Sequence, residues 1–225
     1  MGKYFVVAID GPAGSGKSTT ARGLAKALNI LHLDTGAMYR AVTLAALEKG
    51  IGAGEAEKLG ALSKSLSIRF ERNEDGSQRI FLDGKDVSEA IRTPEVTSHV
   101  SDYCKPAQVR EVMVKKQREI AKESSVVVEG RDIGTVVFPE AKHKFFLTAT
   151  LEERALRRMK DFAKIGEKPP LREVMADIER RDRADSTREL SPLKKAGDAR
   201  LVETTGLSMQ EQIDLIVRLV GQEKQ

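Results

Sequence analysis

One stretch restricts what this chain can fold into more than any other. It is Gly11-Pro12-Ala13-Gly14-Ser15-Gly16-Lys17-Ser18, preceded by Asp10 and set between an apolar run, Tyr4 to Ile9, and a helical Thr19 to Leu28. The spacing fits G-x-x-x-x-G-K-[ST], which reads as a phosphate-binding loop. A triphosphate needs many convergent donors. Glycines let the backbone curl until successive N–H groups point inward, and the N-terminus of the following helix adds positive potential. Lys17 is then expected to reach the outer phosphates and Ser18 to hold Mg²⁺. The flanks supply the strand and the helix that the motif requires.

The remaining strand and helix signals place that loop in a parallel α/β fold. A helix from about Lys17 to Leu28, closed by Asn29, leads to a short strand, Ile30 to Leu33. In such a sheet ligands lie at the carboxyl ends of the strands, so Asp34, Thr35 and Arg40, which open a helix running to about Lys49, are expected to face the same crevice as the loop. After a helix from Glu55 to Leu66 the texture changes. Residues 67–71 and 78–82 alternate polar with apolar about Asn73-Glu74-Asp75-Gly76, a hairpin, and Asp83 to Val87 adds a turn and a short strand. This region, about 67–100, reads as a small antiparallel insertion, either covering the site or decorating the surface. Helices return from Pro94 and after Pro106, where Val109, Val112, Met113 and Ile120 lie near one face. Val126 to Glu129 reads as a buried strand ending in an acid, Lys144 to Thr148 and Ala199 to Thr204 as further strands, and Ser208 to Glu211 as a capping box. The helix it opens turns Ile213, Ile216, Val217 and Val220 to the core. The expectation is one domain over 1–225 with a central parallel five-stranded sheet flanked by helices.

Composition excludes several classes. With 225 residues and a single cysteine, Cys104, there is no disulfide framework and no Cys/His zinc cluster, so that thiol reads as structural. No apolar run approaches a membrane span and Met1-Gly2-Lys3 leads directly into the first strand, so a soluble, cytoplasmic protein is expected. A net charge of +4 with few aromatics and no tryptophan argues against a base-stacking surface for nucleic acid. Small anionic ligands or an ordinary solvated surface account for the positive balance equally.

Two later stretches carry charge where apolar residues would be expected. Leu171, Val174, Met175 and Ile178 form a helical stripe that continues as Arg181, Asp182, Asp185 and Arg188. Either this half-helix looks into a polar cleft or clasps a charged ligand, or the stripe ends at the surface with intrahelical ion pairs such as Arg181 with Asp185. Just before it, Arg154, Arg157 and Arg158 share a face of a helix leading to Gly166-Glu167-Lys168-Pro169-Pro170. That segment, about 154–170, reads as a helical lid whose arginines suit phosphoryl transfer, or as a solvated charged helix.

Along essentially its whole length the chain resembles the bacterial cytidylate kinases, within the nucleoside monophosphate kinase family. The stretches that carry the resemblance are Gly11 to Ser18, Asp34-Thr35-Gly36-Ala37-Met38-Tyr39-Arg40, Ile91-Arg92-Thr93, Gly130 to Val137, Glu153-Arg154-Ala155, and Arg181 through Asp185 to Arg188. The resemblance implies a P-loop kinase core and transfer of the γ-phosphoryl group of ATP to CMP or dCMP in pyrimidine nucleotide metabolism, with Mg²⁺, by a monomer. It implies that Gly11, Pro12, Ala13, Gly14, Ser15, Gly16, Lys17, Ser18 and Thr19 bind ATP. Asp34, Thr35, Arg40, Arg131, Arg181 and Arg188 would surround the acceptor, Ser101 and Arg110 would read the cytosine edge, and Asp185 would bind the sugar hydroxyls. Lys17, Arg131, Asp132, Arg188 and the lid residues Arg157 and Arg158 would serve the chemistry. Thr35 stands where some relatives have serine, and Glu129 where aspartate is commoner.

An acceptor monophosphate has a second pKa near 6, so its attacking oxygen is already ionised at neutral pH and needs no general base. Asp132 is accordingly expected to orient Arg131 or a metal-bound water. Two other classes compete: a kinase of another small acceptor on the same scaffold, discriminated by Ser101, Arg110 and Asp185, and a GTPase-like switch. Against the latter, the chain has no D-x-x-G and no N-K-x-D motif.

Overall fold

Strand β1 (Val6–Asp10) has a parallel partner on each side, which fixes where its carboxyl end delivers the chain. In the computed structural model, which describes residues 4–73, 78–122, 124–164 and 166–222, the chain divides into two compact units. The first comprises Met1–His32 and Ser125–Gln225, the second Leu33–Ser124.

The first unit is built on parallel pairing. Its elements are β1, α1 (Lys17–Leu28), β6 (Val126–Gly130), a single π-helical turn (Ile133–Val137), β7 (His143–Thr148), α6 (Leu151–Lys164), α7 (Leu171–Thr187), β8 (Arg200–Glu203) and α8 (Met209–Gln222). Strand β2 (Leu31–Asp34) carries the chain from this unit into the next, and the five-stranded sheet runs β2-β6-β1-β7-β8. The register pairs Asp10 with Gly130 across β1 and β6 and with Phe146 across β1 and β7. The loops after β1 and β6 therefore leave the same edge side by side, at the point where the strand order reverses. All five residues of β6 are buried, as a strand covered on both faces requires.

Local signals explain the helices. Asn29 takes the left-handed conformation (φ 51°) after α1 and returns its N–H to the carbonyls of Ala25 and Lys26. The capping box forms at α8: Ser208 N–H donates to Glu211 Oε2 (2.8 Å) and Glu211 N–H to Ser208 Oγ (3.3 Å). Ile216 and Val220 are buried with Val7, Ile9, Leu24 and Phe145, and Ile213 and Val217 are half-buried beside them. A second cluster joins α6 to α7 through Ala155, Val174 and Ile178, and it includes Ala13 of the phosphate loop.

The second unit contains α2 (Thr35–Glu48), α3 (Ala56–Ser65), the antiparallel sheet β3-β4-β5 (Ile68–Arg72, Gln78–Leu82, Lys85–Asp86), a 3₁₀ turn (Ala90–Arg92), α4 (Pro94–Tyr103) and α5 (Ala107–Ile120). Pairing from Ile68 with Leu82 to Arg72 with Gln78 is the expected hairpin, while the turn expected at 73–76 lies, beyond Asn73, outside the described residues. Asp83 and Gly84 both have positive φ (49° and 85°), the two-residue Asp-Gly connection that suits an antiparallel pair. On α5 the expected stripe lies on the covered side, with polar company. Val109 and Met113 are buried, Val112 and Ile120 flank them half-buried, and the covered face is completed by Arg110 and Gln117. A spacing of four from 109 through 113 to 117 defines that face, so polar residues occupy positions that hydropathy would not choose. No described helix is long and apolar enough to cross a membrane.

Helices α1 and α8 meet at Gly23, where a Cβ would lie 2.1 Å from Ile213 Cδ1 and 2.7 Å from its Cγ1. Gly23→Ala should therefore destabilise the chain by about 1–2 kcal/mol despite its better helix propensity. Adding Ile213→Val, which removes the nearer atom, should recover part of the loss. Urea unfolding of the single and double variants measures both.

Candidate active site

The phosphate loop is held in shape from several directions. Gly11 runs so close to β7 that a Cβ there would sit 2.1 Å from the Leu147 carbonyl oxygen, and Gly16 reaches the start of α1 with φ 91°. Asp10 anchors the other end. Its buried carboxylate accepts the N–H groups of Ile133 (2.8 Å) and Gly134 (2.7 Å), joining the end of β1 to the turn after β6. Burial pushes this carboxyl up to about 6 against the pull of those two hydrogen bonds.

Lys17 is buried, with Nζ donating to Pro12 O (2.6 Å) and lying 3.3 Å from Ser15 Oγ. Burial, followed by the charge of Arg131, pushes its ammonium down to about 7. An ammonium in this position is short of counter-charge, which a polyphosphate supplies. Ser18 Oγ donates to Glu129 Oε2 (2.6 Å), and the other oxygen of Glu129 meets His32 Nε2 at 3.0 Å. Ser18 and Glu129 thus form an all-oxygen pair, a donor set that fits Mg²⁺, which keeps several waters and takes few protein ligands.

Further cations crowd one end of α7 and the loop after β6. Arg131 Nε donates to Asp185 Oδ2 (2.8 Å), Arg188 Nη1 lies 3.6 Å from Asp185 Oδ1, and Arg188 Nε donates to Ser191 O (2.5 Å). Arg181 is pushed down to about 10, by burial first and then by the charge of Arg131. For Asp185, burial opposes ionisation, but the charges of Arg131, Arg188 and Arg181 outweigh it and hold the carboxyl below its ordinary range. Asp185 among Arg131, Arg181 and Arg188, with Asp177 acting on Arg181, still leaves a surplus of positive charge, which an anion would neutralise.

The two readings of the charged stripe are now separable. Arg181, Asp182, Asp185 and Arg188 are all half-buried, and α7 continues to Thr187. Asp185 pairs with Arg131, from the loop after β6, and with Arg188. Asp182 pairs with Arg154 of α6 and accepts the N–H of Ala13 (3.0 Å). The stripe is packed against neighbouring elements and does not end as a self-paired surface.

Arg154, Arg157 and Arg158 have different surroundings. Arg154 is buried and donates to the carbonyls of Ala149 (3.1 Å) and Ala13 (3.0 Å) as well as pairing with Asp182. Arg157 holds Glu153 Oε1 (2.9 Å), Thr204 Oγ1 (3.0 Å) and Thr204 O (2.7 Å). Its Nη1 would lie 3.3 Å from a Cβ on Gly16. Arg158 rests over the Phe162 ring at 4.8 Å. Asp132 is buried at the head of the π turn, its carbonyl accepting from Val136 and Val137.

In the second unit Asp34 caps α2. One oxygen accepts Ala37 N–H (2.8 Å) and the other pairs with Arg40 Nη2 (3.2 Å). Arg40 Nε is buried with no hydrogen-bond partner among the described residues, a donor left available to an anion. Thr35 and Arg110 are buried, the Arg110 guanidinium stacks over Tyr39 at 5.3 Å, and Ser101 is half-buried on α4.

Sequence reasoning missed four contributors. Asp10 orients the 133–134 backbone, and His32 shares Glu129. Thr204 ties Arg157 to the base of the loop. Gln212 is buried on α8, where it accepts from Thr20 Oγ1 (3.1 Å) and donates to Leu207 O (3.1 Å). A polar residue directly before the apolar face of α8 is the one local signal that pointed to any of them.

The position of Lys17 has a measurable consequence. At about pH 8 its ammonium, lowered to about 7, is largely deprotonated in the free chain, and a bound triphosphate restores the charge. Nucleotide binding should therefore take up protons at about pH 8, with the uptake shrinking as pH falls through 7. Calorimetric titration in buffers of different ionisation enthalpy reads the uptake directly. Its absence at the higher pH would contradict the environment described.

Comparison with known proteins agrees with this arrangement. The family model described as cytidylate kinase matches residues 7–222. A cytidylate kinase from Desulforamulus reducens is 49% identical over 224 residues, covering 100% of both chains. One from Enterococcus faecalis is 50% identical over 222 residues, covering 99% of this chain and 97% of the relative. Among solved structures, an uncharacterized protein from Eubacterium ventriosum superposes with a TM-score of 0.55 at 13% identity, over 98% of this chain and 99% of that one, and shares the fold. With its phosphate loop, its cation cluster and a match spanning nearly every residue, the chain belongs to the cytidylate kinase family.

Proposed function

We propose that this chain transfers the γ-phosphoryl group of ATP to CMP or dCMP, giving ADP and CDP or dCDP, as a monomer in the cytoplasm. The observation that carries the reading is the full-length family match, together with a buried Lys17 on a phosphate loop and guanidiniums of Arg131, Arg181 and Arg188 with too little counter-charge.

Phosphoryl transfer between two polyanions is governed by charge and alignment. The donor's phosphates would lie on loop N–H groups other than that of Ala13, which goes to Asp182, and Pro12, which has none, and Lys17 would span the outer two, where the leaving oxygen develops charge. When bound, Mg²⁺ would supply positive charge to offset that of the donor phosphates. Ser18 would hold it directly and Glu129 through its waters, while His32 fixes the second oxygen of that carboxylate.

Arg131, Arg181 and Arg188 hold the acceptor phosphate, whose planar forks suit its oxygens, and spread the charge of the transferred group. Asp185 keeps Arg131 and Arg188 oriented and receives the sugar hydroxyls. Thr35 and Arg40 would serve the acceptor phosphate, with Asp34 setting the angle of Arg40, and Ser101 and Arg110 would read the cytosine edge. Arg157 and Arg158 serve the lid, and Asp132 steadies Arg131. The acceptor oxygen is already ionised at neutral pH, so no side chain is assigned as a base.

Turnover of a panel of nucleoside monophosphates and small alcohols with ATP tests this reading. CMP and dCMP should be the preferred acceptors, and failure to turn over either would overturn it in favour of another acceptor on the same scaffold. Lys17→Ala should abolish turnover while leaving the unfolding midpoint nearly unchanged. Asp185→Ala should raise KM for CMP, because the sugar contact is lost in ground and transition states alike, and a change in KM for ATP alone would put α7 against the wrong ligand. Arg188→Ala should lower kcat/KM for CMP on the order of a hundredfold.

A further inference from the structure

One residue of the phosphate loop is bound to the α6–α7 pair by every group it has. The Ala13 methyl lies in the apolar cluster of Ala155, Val174 and Ile178. Its N–H donates to Asp182 Oδ1 at 3.0 Å, and its carbonyl accepts from Arg154 Nη1 at 3.0 Å. Arg154 and Asp182 then pair with each other, closing a ring that runs from the loop to α6, to α7 and back. The neighbouring residue is equally close: a Cβ on Gly14 would lie 3.0 Å from both Cβ and O of Arg154. None of these groups belongs to the cation cluster assigned to the acceptor, yet Asp182 directly follows Arg181 and lies one helical turn before Asp185.

A fold needs only the apolar cluster to pack α6 on α7. The polar ring adds something different, a fixed distance between a backbone that receives the donor's phosphates and a helix that presents Arg181, Asp185 and Arg188. Because Arg154 is buried and Asp182 is largely covered, solvent does little to weaken the coupling. We infer that Asp182 and Arg154 are positioning residues that lock α7 to Ala13, so that filling the phosphate loop with the donor sets the register of Arg181, Asp185 and Arg188 toward the acceptor. The inference rests on the proposed kinase reading and deepens it. In free-energy terms it predicts that the two substrates bind with positive coupling, each raising the affinity of the other by the same factor.

Asp182→Asn tests this directly. The amide oxygen can still accept the Ala13 N–H, but the charge pair with Arg154 is lost. Binding of CMP is measured with and without a non-hydrolysable ATP analogue, alongside steady-state kinetics. The wild type should bind CMP more tightly with the analogue present. In the variant that coupling should fall toward unity and kcat should drop on the order of tenfold, while KM for ATP changes little. Arg154→Lys, which keeps the charge but loses the fork that reaches Ala149, Ala13 and Asp182 together, is the second probe in case one variant is poorly folded. Thermal unfolding identifies the variant to be used. The double variant should be no worse than the more damaged single one, as expected for members of one ring.

A folded variant with unchanged kcat and unchanged coupling overturns the inference, and so does a wild type whose two substrates bind independently. Failure of the kinase reading looks different, because the wild type would then show no CMP or dCMP turnover at all.

Discussion

The arrangement depends on buried positive charge that the chain does not neutralise by itself. Burial lowers Lys17 to about 7 and Arg181 to about 10, and in both cases the charge of Arg131 adds to the effect. Leaving like charges together in a partly dry place destabilises a folded chain, and it persists only where other contacts over-determine it. Those contacts are visible: Asp10 on the 133–134 backbone, Asp185 between Arg131 and Arg188, and Thr204 beneath Arg157. The unsatisfied charge is then available to polyanions, most of all to a transferred group whose charge is spread over several oxygens.

The same constraint explains the shape of the loop. Backbone N–H groups can converge on phosphate only if the chain passes where side chains would collide, as at Gly11 against Leu147 O. The carboxylate of Asp10 serves the turn after β6 and takes no N–H from the loop itself. Ser15 N–H turns back to Pro12 O within the loop (3.5 Å), and Ala13 N–H goes outside it, to Asp182. Within one short stretch the loop therefore carries two kinds of residue, those kept open for a ligand and one committed to α6 and α7.

Much of the fold was legible in the chain because its signals are local. The strand-loop-helix run from Val6 to Leu28, the Asn29 stop, the Asp-Gly connection at 83–84 and the capping box at Ser208 are each written within a few residues. Periodicity also showed that the inward stripe of α7 turns charged at Arg181. It did not show where those charges go, because a helical pattern names only partners three or four residues away. Asp182 reaches Ala13 across 169 residues and Arg154 across 28, and Asp185 reaches Arg131 across 54. Hydropathy likewise missed Arg110 and Gln117 on the covered face of α5, since burial of a polar residue is decided by what surrounds it.

If positioning and charge neutralisation suffice without a protein base, the ionisation that limits the rate at low pH is the acceptor's own. The acid limb of the pH–rate profile tests it most directly, provided the acceptor's own ionisation can be moved. Two groups would otherwise be confused there, the acceptor phosphate with a second pKa near 6 and Asp10, raised to about 6. Replacing CMP by its phosphorothioate, whose second ionisation is more acidic, separates them. The account predicts that the acid limb of the single-turnover rate shifts down in pH with the acceptor. A limb that stays in place would assign it to a group on the protein and contradict the account.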